Sequence, residues 1–312
     1  MTDAVKLLLL KKETVYNTDA IPTPAANAWV TRNFRSGPIE VDKLDRNLDT
    51  GTWGSKTAGI TNERRSFSFE AEMASSGAAG TAPRWMEGLE GCGMAAPVVT
   101  AGVKVEQSFA LSSVAQSSLS ARDYVSDQLR KATGVRGSWS LDWTAGAYPF
   151  FNFTMLGLVP AATPFSTLAP TGVDLSAWKA PVEVNNANTV LTLDGFAVVT
   201  RSLQINSNLD VKLRALVGAR YINRGPHAAD FRMVVEAPTL AAKDYVGALR
   251  AGTEMVLHGQ NGTVAGAIVE IDAPKAQLTG IEEGEEDGKQ MWTLSGQINV
   301  GAGGDELKLT AR

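Results

Sequence analysis

The word Val30-Thr31-Arg32 returns as Val199-Thr200-Arg201, 169 residues later, and at the same spacing Lys43-Leu44 returns as Lys212-Leu213. A chain that repeats itself in order must fold into something that can be built twice, a tighter limit than composition sets. Further along, the spacing shortens to 164, where Phe67 and Glu72 meet Phe231 and Glu236. It shortens again to 160, where Trp85, Met86 and Leu89 meet Tyr245, Val246 and Leu249, the same apolar face of a helix. Each change can fall in a loop, where insertions are tolerated. Two β-rich halves could look alike through composition alone; agreement in order over about a hundred residues favours duplication.

Strand signals dominate both halves. Ser66–Met73, Ser138–Trp143 and Met291–Leu294 alternate apolar and polar residues, and Phe150–Met155 is a more apolar variant. Asn261-Gly262 and Asp287-Gly288 fit tight hairpin turns that need positive φ. One short helix is expected from near Pro83 to the Gly91–Gly93 cluster. A second is expected after Thr239, as its N-cap, and before Gly252. Pro160, Pro164, Pro170 and Pro181 interrupt a stretch with little periodicity, which reads as an extended connector. The expected organisation is an N-terminal arm (1–28), a first β module (29–159), the connector (160–181) and a second β module (182–312). The fold class is mainly β, two tandem sandwich-like modules with a short flanking α-helix each.

The chemistry of catalysis is scarce. A net charge of -4 and a pI near 5.4 give no general reason to grip nucleic acid. Cys92, the single cysteine, reads as a small buried residue near a helix end, and no cofactor or metal is expected. His227 and His258 lie in loop-like surroundings, far from Cys92 in sequence. Gly301–Gly304 lacks the following helix of a phosphate cradle, and Gly51–Ser55 lacks the central serine of a nucleophile elbow. Glu282, Glu283, Glu285, Glu286 and Asp287 lack the ligand register of a calcium loop and read as a solvated hairpin tip. Trp139 and Trp143 share one strand face, as sandwich-core residues do, although a sugar platform would use the same pattern. The apolar run Leu7–Leu10 is too short for a signal-peptide core or a membrane span.

The opening Leu7–Thr23, with Lys11-Lys12-Glu13-Thr14, Tyr16, Thr18-Asp19-Ala20 and Pro22-Thr23, resembles the start of a tail tube (major tail) protein of long-tailed, siphovirus-type bacteriophages. Similar pieces follow at Phe67–Met73, Gly77–Pro83, Leu89–Gly93, Val235–Asp244 and Gly304–Thr310, so the resemblance covers most of the chain. It implies β-sandwich modules that join into rings, with rings stacked into a tube through which DNA leaves the virion. Six modules per ring are common in such tubes, so a two-module chain would close a ring as a homotrimer with pseudo-sixfold symmetry. Partners implied by the family are further copies of the chain, a tape-measure protein and tail terminator or distal tail proteins. Double-stranded DNA would pass without tight binding, no membrane would be involved, and assembly would occur in the host bacterial cytoplasm before incorporation into the virion tail. No catalysis is expected. Candidate inter-ring or inter-subunit loop residues are Asp45, Arg46, Asn47, Asp49, Trp53 and Lys56 in the first half and Arg214, Arg220, Tyr221 and Arg224 in the second. The alternative reading is a β-sandwich adhesin or carbohydrate-binding virion decoration protein.

Overall fold

Alternation along Gly59–Glu72 sends Phe67, Phe69 and Ala71 to one face and Ser66, Ser68 and Glu70 to the other. In the computed structural model, which describes residues 5–46, 48–110, 116–301 and 303–312, the apolar set is buried and the segment is one long strand. The first half contains β1 (Lys6–Lys12), α1 (Pro24–Asn27), β2 (Ala28–Trp29), β3 (Arg32–Ser36), β4 (Glu40–Leu44), β5 (Gly59–Glu72) and α2 (Trp85–Gly91). It continues with β6 (Val98–Thr100), β7 (Lys104–Ser108), β8 (Leu119–Val125), β9 (Gln128–Thr144), β10 (Phe150–Leu158) and β11 (Phe165–Thr167). The second half contains β12 (Thr189–Leu193), β13 (Phe196–Ala197), β14 (Thr200–Asn206), β15 (Val211–Leu216), β16 (Ala219–Arg224) and β17 (Asp230–Glu236). After α3 (Tyr245–Ala251) come β18 (Glu254–Asn261), β19 (Val269–Glu286), β20 (Lys289–Ile298) and β21 (Lys308–Ala311).

One antiparallel sheet crosses both halves in the order β3–β5–β10–β9–β14–β17–β20–β19. The strands β9 and β19 are long enough to serve two layers. The early part of β9 pairs with β8 and β11, and β8 with β1. The early part of β19 pairs with β18 and β21, and β18 with β12. Bulges mark the bends: Gly134 in β9 takes φ +59, and the pairing of β19 shifts between Ala273 and Ala276, around Pro274. The pairing set β3–β5–β10–β9–β8–β1 thus has a counterpart in β14–β17–β20–β19–β18–β12, with β2 and β13, and β11 and β21, in matching places. The β6–β7 hairpin has no counterpart and extends the second layer through β21.

The core fills the space between the layers. Trp29 from the second layer meets Phe69 and Phe153 of the large sheet edge-on, at 5.7 and 5.9 Å between ring centroids. Trp85 of α2 lies 4.9 Å from Phe151, and Trp139 and Trp143 are buried in the same core.

Several expectations are corrected. Lys6–Lys12, expected in an arm ahead of the first module, is paired along its length with Val125–Leu119, and Leu7–Leu10 are buried. Burying a leucine side chain is worth about 1.5–3 kcal/mol, so four of them hold this segment in the fold. Within the expected connector, Phe165–Thr167 pairs with β9 and the Trp178 Nε1–H donates to the Ala28 carbonyl at 3.0 Å. Asp287-Gly288 makes the tight turn, with φ of 52 and 75, but Asn261-Gly262 opens a loop over residues 262–268. The N-cap of α3 is Asp244, which accepts from the Gly247 N–H at 2.7 Å; Thr239 lies a turn earlier. Val246 is exposed, so α3 buries Tyr245 rather than the full face that α2 buries. His258 lies in β18 and not in a loop.

Candidate functional site

The large sheet turns one face to the core and the other outward, and strand pairing lines up the outward side chains in rows. Glu70, Asn152, Ser140, Asn206, Asp230 and Gln297 stand side by side on six successive strands. The next row runs Glu72, Phe150, Asp142, Gln204, Arg232 and Ser295. Amides tie the carboxylates down: Asn152 Nδ2 donates to Asp142 Oδ2 at 3.0 Å, and Asn206 Nδ2 to Asp230 Oδ1 at 2.7 Å. Arg32 pairs with Glu70, and its guanidinium carbon lies 3.6 Å from the centre of the Phe150 ring. Carboxylates still outnumber guanidiniums across the two rows, which leaves these rows with a net negative charge.

Two hairpins project from the sheet, β4–β5 in the first half and β15–β16 in the second. The second is docked. Ile222 is 0% exposed; its N–H donates to the Tyr16 hydroxyl at 2.7 Å, and its carbonyl accepts from Arg136 Nη1 at 2.8 Å. The Arg136 guanidinium lies over the Tyr16 ring, 4.6 Å from its centre. Arg224 is buried at the base of this hairpin, where loss of water and then the like charge of Arg136 pull its pKa down. Tyr221 is half-buried, and Arg214 and Arg220 are exposed. Among the described residues the tip of the β4–β5 hairpin has no such seat, although Asp42, Asn62 and Arg64 at its base lie beside Val211–Leu213 of β15. Asp45, Arg46, Asp49, Trp53 and Lys56 are all exposed in its tip. Asp45 pairs with Lys43 at 2.7 Å, and Lys56 Nζ donates to the Thr52 carbonyl at 3.0 Å. Asn47 lies outside the described residues. The nine described candidates therefore fall on two hairpins, and among them Arg224 is the one that is buried.

Two stretches that the sequence showed only as a solvated hairpin tip and a repeated word become prominent in the fold. Arg32 and Arg35 lie on β3, at one end of the large sheet, and Glu282–Glu286 lie on β19, at the other. Their composition was visible, but their position at opposite ends of one sheet depends on long-range pairing.

Groups with catalytic potential are kept apart. Cys92 is buried in the core, and burial pushes its thiol far up from the ordinary range. His227 stacks on Phe109 at 4.1 Å and bonds to Glu306, whereas His258 Nδ1 meets Asp272 Oδ1 at 2.7 Å. Among the described residues no three His, Cys, Asp or Glu converge as a metal site. An apolar cavity of about 370 Å³ between the halves, lined by Trp143, Val184, Leu191, Val198 and Leu203, has Arg201 as its one ionisable group. Among the described residues no helix is long and apolar enough to cross a membrane.

The family model described as phage tail tube protein matches residues 4–298. A search of curated proteins found no match. The family match spans both halves of the large sheet, and the chain belongs to the phage tail tube protein family.

Proposed function

We propose that this chain closes rings of three copies with pseudo-sixfold symmetry, and that stacked rings form the conduit through which phage DNA is ejected. The observation that carries this reading is the large sheet: eight strands, continuous across two halves that share one pairing pattern. Three copies supply roughly 24 strands, which at ~4.8 Å spacing and ~40° tilt close a barrel about 48 Å across the backbone. Closure also removes the two sheet ends, which otherwise expose unpaired backbone groups. The polar, carboxylate-rich face would then line the lumen, so that a duplex slides past without being held.

In this reading the chain is a structural component of the virion tail with no catalytic step. It is assembled in the host cytoplasm, in contact with a tape-measure protein and with terminator and distal tail proteins. The duplicated unit is taken as 29–159 and 182–312, with β1 and β11 as strands of the first. Asp45, Arg46, Asp49, Trp53 and Lys56 serve contacts between copies, and Arg214, Arg220, Tyr221 and Arg224 serve the matching contact within the chain and its exposed rim. Negative-stain microscopy of the purified chain at high concentration tests the reading. Stacked rings support it; a chain that stays monomeric there and in the presence of tail-tip components contradicts it.

A further inference from the structure

We propose that β3 of one copy pairs antiparallel with the free edge of β19 in a second copy, Arg35 opposite Gly284, while the β4–β5 hairpin lies across β19 and β20 of that copy. The choice of a second copy as occupant rests on the tube reading. The contact itself is taken from a junction that the chain makes internally.

At that junction β14 lies between two strands: Gln204 faces Arg232 of β17 on one side and Asp142 of β9 on the other. In the first half β3 takes the corresponding place against β5, with Arg35 facing Ser68. Its other edge meets no strand among the described residues. The Phe34 carbonyl there accepts from Lys6 Nζ at 3.0 Å, a flexible side chain that a pairing strand can displace. At the far end, β18 stops pairing with β19 at Gln277, whereas β20 follows β19 to Glu286. Among the described residues no strand pairs with 279–286 on the side where β9 receives β14. Each half of the internal junction is therefore repeated, unpartnered, at one end of the sheet, with six strands between the two ends.

Register follows from strand partners. Phe67, Phe69 and Ala71 face Met155, Phe153 and Phe151, as Phe231, Met233 and Val235 face Gly296, Leu294 and Trp292. That superposition places Arg35 on Gln204, and Asp142 on Gly284, which faces Met291 as Asp142 faces Phe150. Gln204 faces Asp142 within the chain, so Arg35 faces Gly284 between chains. Glu282 and Glu286 then stand diagonally on either side of Arg35, within reach of its side chain. Arg35 has no ion-pair partner among the described residues, whereas Glu282 and Glu286 each meet one arginine of their own chain, Arg232 at 3.9 Å and Arg201 at 3.1 Å, through exposed side chains that a second guanidinium can join. Pairing β19 with a second β19 would set carboxylate against carboxylate, which selects the basic edge of β3 as the partner.

The hairpins tell the same story. Docking of β15–β16 leaves Ile222 with 0% exposure, while β4–β5 presents Leu44 at 58% and Ile60 at 61% to water. Trp53 at its tip stands fully exposed. A second copy offers β19 and β20 where the first half offered β9 and β10, and seating β4–β5 there covers these side chains.

A chain carrying Arg35→Cys with Gly284→Cys tests the contact. Cys92 is buried, and the six intervening strands prevent a bridge within one chain. In assembled tubes, oxidation should yield covalent multimers from most of the protein, because facing strand residues lie within disulfide reach. Arg35→Cys with Gly280→Cys, about 13 Å out of register, should yield at least tenfold less. Tubes that form without a bridge at Gly284, or with equal bridging at Gly280, overturn the interface and leave the tube reading standing. In-register bridging without tubes supports the interface and overturns the tube reading. If the double-cysteine chain does not fold, Arg35→Glu supplies the test: tube yield should fall at least tenfold and return on adding Glu282→Arg and Glu286→Arg. Failure of that rescue, with each chain folded, overturns the register.

Discussion

Arg65 sits in β5 without water contact, its Nη2 2.6 Å from Asp123 Oδ1 and 2.6 Å from Ser36 Oγ, joining the large sheet to β8 in the second layer. Burial pulls the guanidinium pKa down, and the Asp123 carboxylate opposes that by favouring the charged form. Removing one partner of such a pair strands the other charge in the core. Asp123→Ala is therefore expected to cost about 3–5 kcal/mol of stability, read by urea denaturation of the unassembled chain. A loss below about 1 kcal/mol, the value of an exposed pair, would mean that water reaches the site. Gly288 presents a backbone requirement instead. With φ of 75 in a two-residue turn after Asp287, it occupies the left-handed region that a β-branched residue resists. Gly288→Val should cost about 1–2 kcal/mol, whereas Gly288→Asn should cost clearly less. Equal effects of the two would contradict a backbone cause.

Among elements, legibility in the sequence followed the reach of the interaction. Strands β5, β10 and the later part of β9 showed their alternation because one face is core and the other water. Asp287-Gly288 was legible for the same local reason: both residues of the turn need positive φ. β1 was not. Its four leucines are buried on both faces, and a continuous apolar run carries no alternation to read. Asn261-Gly262 misled because Gly262 donates its N–H to the Asn188 carbonyl at 2.9 Å, a contact from another segment that widens the turn. The candidate hairpins were legible as loops, but which one docks was not, since Tyr16 and Arg136 come from distant parts of the chain. Leu44→Asp with Ile60→Asp should change the stability of the unassembled chain, read by urea denaturation, by no more than about 0.5 kcal/mol, the range of surface changes, while tube yield falls. A large loss of monomer stability would mean that β4–β5 already packs within its own chain.

For the whole molecule, duplication and closure are one argument. The internal junction between β9 and β14 turns two halves into one sheet, and in the proposed assembly its unmatched ends, acidic on β19 and basic on β3, make that sheet one arc of a ring. Echoed words such as Val30-Thr31-Arg32 and Val199-Thr200-Arg201 were enough to suggest two units; the pairing register supplies the direction in which units are added. The most direct test of three chains per ring is cryo-electron microscopy of assembled tubes without imposed symmetry. The expected density has threefold rings, with six similar lobes alternating between the α2-bearing and α3-bearing halves and about 24 strands facing the lumen. Six complete chains per ring, or a wall in which β3 and β19 of neighbouring copies do not meet, would contradict the account.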